Sequence, residues 1–176
     1  MIYEPREDSF LLEREVRKFA KGRTFLDMGA GSGIQSRAAL DVKAKSVLAA
    51  DISDEAIKIL KRQKIPALKS DLFSNINGKF DIIAFNPPYL PEDLREDKSS
   101  SIATSGGRMG NEIIIRFLDE TKKHLTGKGI ILLVVSSLTP KKAIISLLKK
   151  QKMKKEVISS EKLFFEELEI WKISNK

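Results

Sequence analysis

Four residues, Asn86-Pro87-Pro88-Tyr89, concentrate unusual chemistry. The Asn86 side-chain oxygen and the Pro87 carbonyl are hydrogen-bond acceptors, the two prolines remove backbone donors and stiffen the chain, and Tyr89 offers a flat face. Such a cradle suits a planar –NH2. Two acceptors can grip both hydrogens of an amide or aromatic amine, fix the direction of its nitrogen and disfavour delocalisation of its lone pair. No neighbouring side chain reads as a general base, and none is needed where a cationic product can lose its proton to water. Alone, a Pro-Pro pair after a strand reads as a rigid turn. It does not stand alone: Asp27-Met28-Gly29-Ala30-Gly31-Ser32-Gly33 is a glycine-rich turn, with further acids at Asp51 and Asp71. Glycines at 29, 31 and 33 let backbone approach a ligand where the free N–H groups of a helix start face outward.

The elements that must position these residues follow from hydrophobic spacing. Leu12, Val16 and Phe19 predict an amphipathic helix from about Arg6 to Ala20. Strands are expected at 24–28, 46–51, 66–69, 80–85 and 129–136, with helices after the glycine turn through about Leu40, after Ser53 as a cap, and from about Asn111 to Leu125. Thr139-Pro140 reads as a cap followed by proline at the first helical position, opening a helix striped by Ile144, Leu147 and Leu148. Segments 156–160 and 167–173 follow without an intervening helix and should pair as an antiparallel hairpin. The alternation implies an α/β fold with a doubly wound, mostly parallel sheet, helices on both faces and each motif at a strand's carboxyl end.

The glycine turn narrows the ligand. A dinucleotide-binding turn would carry its third glycine at position 34, which is Ile34, and the Gly-Lys-Ser/Thr of a P-loop is missing. An acid at Asp27 with glycines at 29, 31 and 33 resembles motif I of class I S-adenosylmethionine-dependent methyltransferases, whose seven-stranded sheet is Rossmann-like. Asp27 fits a ligand that carries an ammonium group. Asp51, ending the second strand, is placed for a ribose diol, although such an acid is as often a helix cap. Asp71-Leu72 can read an adenine edge, the carboxylate accepting from the exocyclic amine and a backbone N–H donating to the ring.

Together these residues resemble the HemK-type amino-methyltransferases. The opening Tyr3-Glu4-Pro5-Arg6-Glu7-Asp8-Ser9-Phe10-Leu11-Leu12 is similar to that of the small archaeal and eukaryotic branch, catalytic subunits that methylate glutamine in the Gly-Gly-Gln motif of class I translation release factors. The resemblance implies that Ser9, Asp27, Gly29, Gly31, Asp51, Asp71, Leu72 and Asn86 contact S-adenosyl-L-methionine, with S-adenosyl-L-homocysteine as product, and that Asn86, Pro87, Pro88 and Tyr89 hold the target amide. Residues 1–21 would supply a lid helix and 90–110 a substrate-side loop, with Ser105-Gly106-Gly107-Arg108-Met109-Gly110 matching the family's glycine-rich segment apart from Met109. Ala30 replaces a frequent cysteine, and neither change removes a proposed ligand. Glu4, Glu7 and Asp8 read equally as helix-start electrostatics. A small zinc-ribbon activator, forming a heterodimer, is expected at the sheet edge between Ile65 and Lys69.

Composition bounds these readings. At 176 residues the chain is expected to form a single domain, 1–176. The longest aliphatic run, Ile130 to Val135, is far below the ~20 residues of a membrane span, and no signal-peptide core is present, so a cytoplasmic protein without membrane contact is expected. Cysteine is absent and His124 is the only histidine, which excludes thiolate chemistry and a His-based metal cluster. The net charge is +8, with seven lysines and no acid between Lys141 and Lys155. That stretch could contact RNA, but no aromatics interleave it and a solvated helix surface is the simpler reading. Two alternatives remain: an RNA or, less readily, DNA base amino-methyltransferase, and a non-catalytic cofactor-binding subunit.

Overall fold

A computed structural model describes residues 3–88 and 110–176. Helix α1 (Glu7–Phe19) leads into β1 (Thr24–Met28), α2 (Ile34–Asp41), β2 (Ser46–Asp51), α3 (Asp54–Arg62), β3 (Ala67–Lys69) and β4 (Phe80–Phe85). Helix α4 (Glu112–Thr121), a 3-10 turn (Lys122–His124), β5 (Leu125–Ser136), α5 (Lys141–Lys150), β6 (Met153–Lys162) and β7 (Glu167–Asn175) complete the described chain. The strands form one seven-stranded sheet in the order β3-β2-β1-β4-β5-β7-β6. The first five run parallel, and β7 joins β5 antiparallel before turning back from β6. The expected fold class, the terminal hairpin and the edge position of β3 all hold.

The period of two along the central strands decides which helix covers which face. Ile131, Leu133 and Val135 of β5 pack with Phe117 and Leu118 of α4 and with Ile144 and Leu148 of α5. Their neighbours Ile130, Leu132 and Val134 face the other way, onto Leu11, Leu12 and Val16 of α1 and Ala38 and Ala39 of α2. Buried on both faces, β5 has to be a continuous aliphatic run. Each fully buried Leu or Val contributes roughly 1.5–3 kcal/mol of transfer free energy, so α1 is held by packing rather than by helix propensity.

Three expectations need correction. The helix opening at Thr139-Pro140 begins one residue late: Pro140 occupies the cap position with an extended ψ of 100°, and the first helical residue is Lys141. The Asn111 side-chain amide donates to the Pro140 carbonyl at 2.9 Å, which ties that residue to α4, and the buried Thr139 hydroxyl makes no capping bond. Helix α4 stops at Thr121 rather than near Leu125, because Leu125 pairs with Phe80 and lengthens β5 through a register shift. A Cβ at Gly129 would lie 3.0 Å from the Phe80 carbonyl oxygen, so glycine is what allows the approach. Finally, the lysine-rich stretch is helical only to Lys150; Lys154 and Lys155 belong to β6.

The glycine turn depends on Gly33, which caps α2 in the left-handed region at φ 82°. A Cβ there would sit 2.7 Å from Leu60 Cδ2 of α3. Gly33→Ala is expected to cost about 1–3 kcal/mol through strain and overpacking, measured as a lower urea midpoint at unchanged slope.

Candidate functional site

Strands β2 and β3 lie on one side of β1 and strand β4 on the other, so the chain reverses its winding at the carboxyl ends of β1 and β4. Helices leave this point in opposite directions and open a crevice. It is a cleft of about 890 Å³, lined among others by Asp27, Gly29, Gly31, Asp51, Asp71, Leu72, Asn86, Pro87 and Pro88. Ser9 lines it from the first turn of α1. The structure therefore brings together every described residue expected to contact cofactor or target, whereas Gly33 of the same turn packs against Leu60 and does not line the cleft. Tyr89, loop residues 90–109 and the segment Ser105 to Met109 lie outside the described residues.

Asp51 shapes the floor. One oxygen accepts the Gly31 N–H and the other the Ser53 N–H, both at 2.8 Å. Ser53 in turn caps α3, its hydroxyl accepting the Ala56 N–H at 3.4 Å. The two roles weighed for Asp51, ligand acceptor and helix start, are thus compatible: a carboxylate offers about four lone-pair directions and the backbone takes two. Gly29 and Gly31 adopt positive φ of 63° and 50°, and a Cβ on Gly29 would press against the Phe85 ring at 3.2 Å. Beyond Asp51, Asp71 forms an exposed pair with Arg116 of α4 at 3.0 Å. Leu72 beside it is buried with a left-handed φ of 47°.

Asp27 is buried, and its carboxylate accepts both the N–H (2.9 Å) and the hydroxyl (2.6 Å) of Ser36 in α2. Burial still dominates and pushes its pKa up to about 7; the Ser36 bonds oppose the rise and the charge of Asp51 adds to it. At the end of β4, the Asn86 side-chain oxygen is buried with no hydrogen-bond partner among the described residues. An unpaired acceptor of this kind costs about 1–3 kcal/mol. Its place at the mouth of a cleft makes it a candidate to receive a donor from outside the chain.

Sequence reading undervalued the roof. Asp8 is buried in the first turn of α1 and accepts from the Tyr3 hydroxyl at 3.0 Å and from the N–H and hydroxyl of Ser9 at 2.6 and 3.1 Å, so its reading as helix-start electrostatics holds and the bond from Tyr3 is added to it. The Ser9 carbonyl accepts from Gln35 of α2, locking α1 across the cleft. Leu163, Glu166 and Leu168, from the terminal hairpin, also line it. Only the antiparallel return of β7 beside β5 brings them there, which no local pattern discloses.

The lysine stretch lies elsewhere. Lys154 pairs with Ser174, which pairs with Ile130 near the start of the parallel part of β5, so this end of the stretch sits at the sheet edge opposite the cleft. Lys141 and Lys155 lie 5.8 and 4.1 Å from the centre of the Trp171 ring. Among the described residues no group of three acidic or histidine side chains could hold a metal, and no helix is long and apolar enough to cross a membrane.

The methyltransferase small domain family matches residues 8–165. The chain belongs to this family. Its curated relatives include a Methanocaldococcus jannaschii protein provisionally named a protein N5-glutamine methyltransferase, 39% identical over 95% of this chain and 88% of that one. Mouse methyltransferase HEMK2 is 32% identical over 76% of this chain and 71% of its own length. Among solved structures, the Encephalitozoon cuniculi Mtq2–Trm112 complex, described as responsible for methylating the termination factor eRF1, superposes with a TM-score of 0.82 at 24% identity, covering 99% of both chains. The fold is therefore that of the class I methyltransferases, and the resemblance to HemK-type glutamine methyltransferases holds.

The raised pKa of Asp27 fixes a sign. Between about pH 4 and 7 the folded chain keeps a proton on Asp27 that the unfolded chain releases, so this group's stabilisation is complete below pH 4 and lost as pH rises through 7. Asp27→Asn should therefore gain on the wild type between pH 5 and pH 8, followed as the difference between their urea unfolding curves.

Proposed function

We propose that the chain transfers the methyl group of S-adenosyl-L-methionine to the side-chain nitrogen of a glutamine, in the Gly-Gly-Gln motif of a class I translation release factor, acting in the cytoplasm. The observation that carries this reading is the buried oxygen of Asn86, without a hydrogen-bond partner among the described residues, beside two prolines at the cleft. The names of the Methanocaldococcus jannaschii relative and of the structurally similar Mtq2–Trm112 complex support glutamine and a termination factor as targets.

The residues present fit the cofactor. Asp51 retains lone pairs for a ribose diol after serving Gly31 and Ser53, and Asp71 and Leu72 flank the cleft where an adenine edge would lie. Asp27 supplies a buried carboxyl group that an adjacent ammonium would hold in its charged form, Gly29 and Gly31 keep side chains out of the way, and Ser9 lines the cleft from α1. When bound, S-adenosyl-L-methionine supplies an electrophilic methyl on a sulfonium sulfur.

The rest is the work of Asn86 to Tyr89. An amide nitrogen is a poor nucleophile because its lone pair is shared with the carbonyl. Acceptors on both N–H bonds hold the group in one plane and favour the charge that develops on nitrogen as its bond to carbon forms. Pro87 and Pro88 remove N–H groups that would compete for those acceptors, and the walls of the cleft limit water. Transfer of that methyl to the held nitrogen would release one N–H proton to solvent, leaving a neutral methylamide and S-adenosyl-L-homocysteine.

The partner subunit belongs to the same proposal. Strand β3 is a three-residue edge with Leu68 exposed, and Ile52 is exposed at the end of β2. An extended segment of a small zinc-ribbon activator would extend the sheet there and cover both side chains. The basic stretch at the opposite edge gives RNA methylation no corresponding support.

Incubation with labelled cofactor and purified release factor should place the label on the glutamine of Gly-Gly-Gln, read by mass mapping. Asn86→Ala should retain cofactor binding and lose roughly 10²-fold or more in kcat; equal turnover would remove Asn86 from the catalytic role. Adding an archaeal zinc-ribbon activator should raise solubility and activity, and Leu68→Asp should abolish co-purification with it while leaving cofactor affinity intact.

A further inference from the structure

We propose that Phe164 and Phe165, at the tip of the β6–β7 hairpin, form a docking surface for the protein that carries the target glutamine, gripping an apolar patch outside the methylated motif. This rests on the function proposed above and extends it to how the substrate is recognised.

Phe164 is 92% exposed and Phe165 85%, the highest values among the exposed large hydrophobic residues described. The rings meet edge to face with centroids 4.6 Å apart, so they present one joint surface rather than two isolated side chains. Hairpin tips are normally Gly, Asn or Asp, which turn easily and hydrate well. Two adjacent phenylalanines contribute neither property.

The tip is firmly held. Leu163 N–H donates to the Glu166 carbonyl at 2.8 Å, closing the hairpin immediately beneath the pair. Ser136 Oγ donates to Glu166 Oε2 at 2.5 Å, and Ser137 N–H donates to the Glu167 carbonyl at 2.8 Å, fastening the hairpin to the end of β5. Rigid display lowers the ordering cost of any contact the rings make.

Position supplies the occupant. Leu163, Glu166 and Leu168, on either side of the rings, line the same cleft as Asn86. Whatever delivers a side chain into that cleft passes beside the tip. A Gly-Gly-Gln motif has almost no apolar surface of its own, so affinity for the intact protein has to come from contacts beyond it. Large aromatic anchors at the rim are the residues that most often provide such affinity.

The test compares Phe164→Ala/Phe165→Ala with wild type as full chains, using intact release factor and a short peptide spanning its Gly-Gly-Gln. The expected result is at least a tenfold rise in KM for the intact factor, with kcat, cofactor affinity and Tm unchanged and the short peptide handled equally by both proteins. Phe164→Leu/Phe165→Leu should recover part of the loss. An unchanged KM for the intact factor overturns the docking role, and so does an equal loss on the peptide, which would mean that the tip merely shapes the cleft. If wild type leaves the intact factor unmethylated, it is the function that fails, and the docking role falls with it.

Discussion

Two carboxylates on neighbouring strands hold the backbone of the site from within. Asp27 at β1 fixes the first turn of α2 through Ser36, and Asp51 at β2 joins the glycine turn to the start of α3 through Gly31 and Ser53. A glycine-rich turn left to itself would sample many conformations. Here, acceptors on rigid strands select one, and the same charges then face a cleft where a cation and a diol can be received. A structural role leaves room for the proposed binding role because a carboxylate has more lone-pair directions than the backbone can occupy.

Strand β4 follows a different principle. At the end of this strand the Asn86 oxygen is buried and has no hydrogen-bond partner among the described residues, beside prolines that cannot donate to it. Unmet hydrogen-bonding capacity is expensive in a folded interior. The rest of the molecule offsets it with a core closed on both faces of the sheet and with α1 latched over α2 through Gln35 and the Ser9 carbonyl. Preorganisation of this kind suits a reaction in which the protein positions groups and donates no proton of its own.

Much of this was legible in the sequence because each signal was local. Strand β4 ended where the alternation ended, the glycine turn followed its strand at once, and the acids at 27, 51 and 71 closed their segments. The errors lie where tertiary contacts overrode local preference. Pro140 was displaced from the helix by the Asn111 amide, and Leu125 was recruited into β5 by Phe80. The hairpin wall of the cleft could not be read at all, since Leu163 and Glu166 reach it only through the pairing of β7 with β5.

Trp171, the chain's single tryptophan, sits fully buried on β7 between its pairing partners Leu133 and Val157, its ring overlain by Lys155 and its N–H bound to Glu169. It is absent from the lining of the cleft. Its intrinsic emission consequently reports the integrity of the antiparallel half of the sheet rather than direct contact with anything the cleft receives.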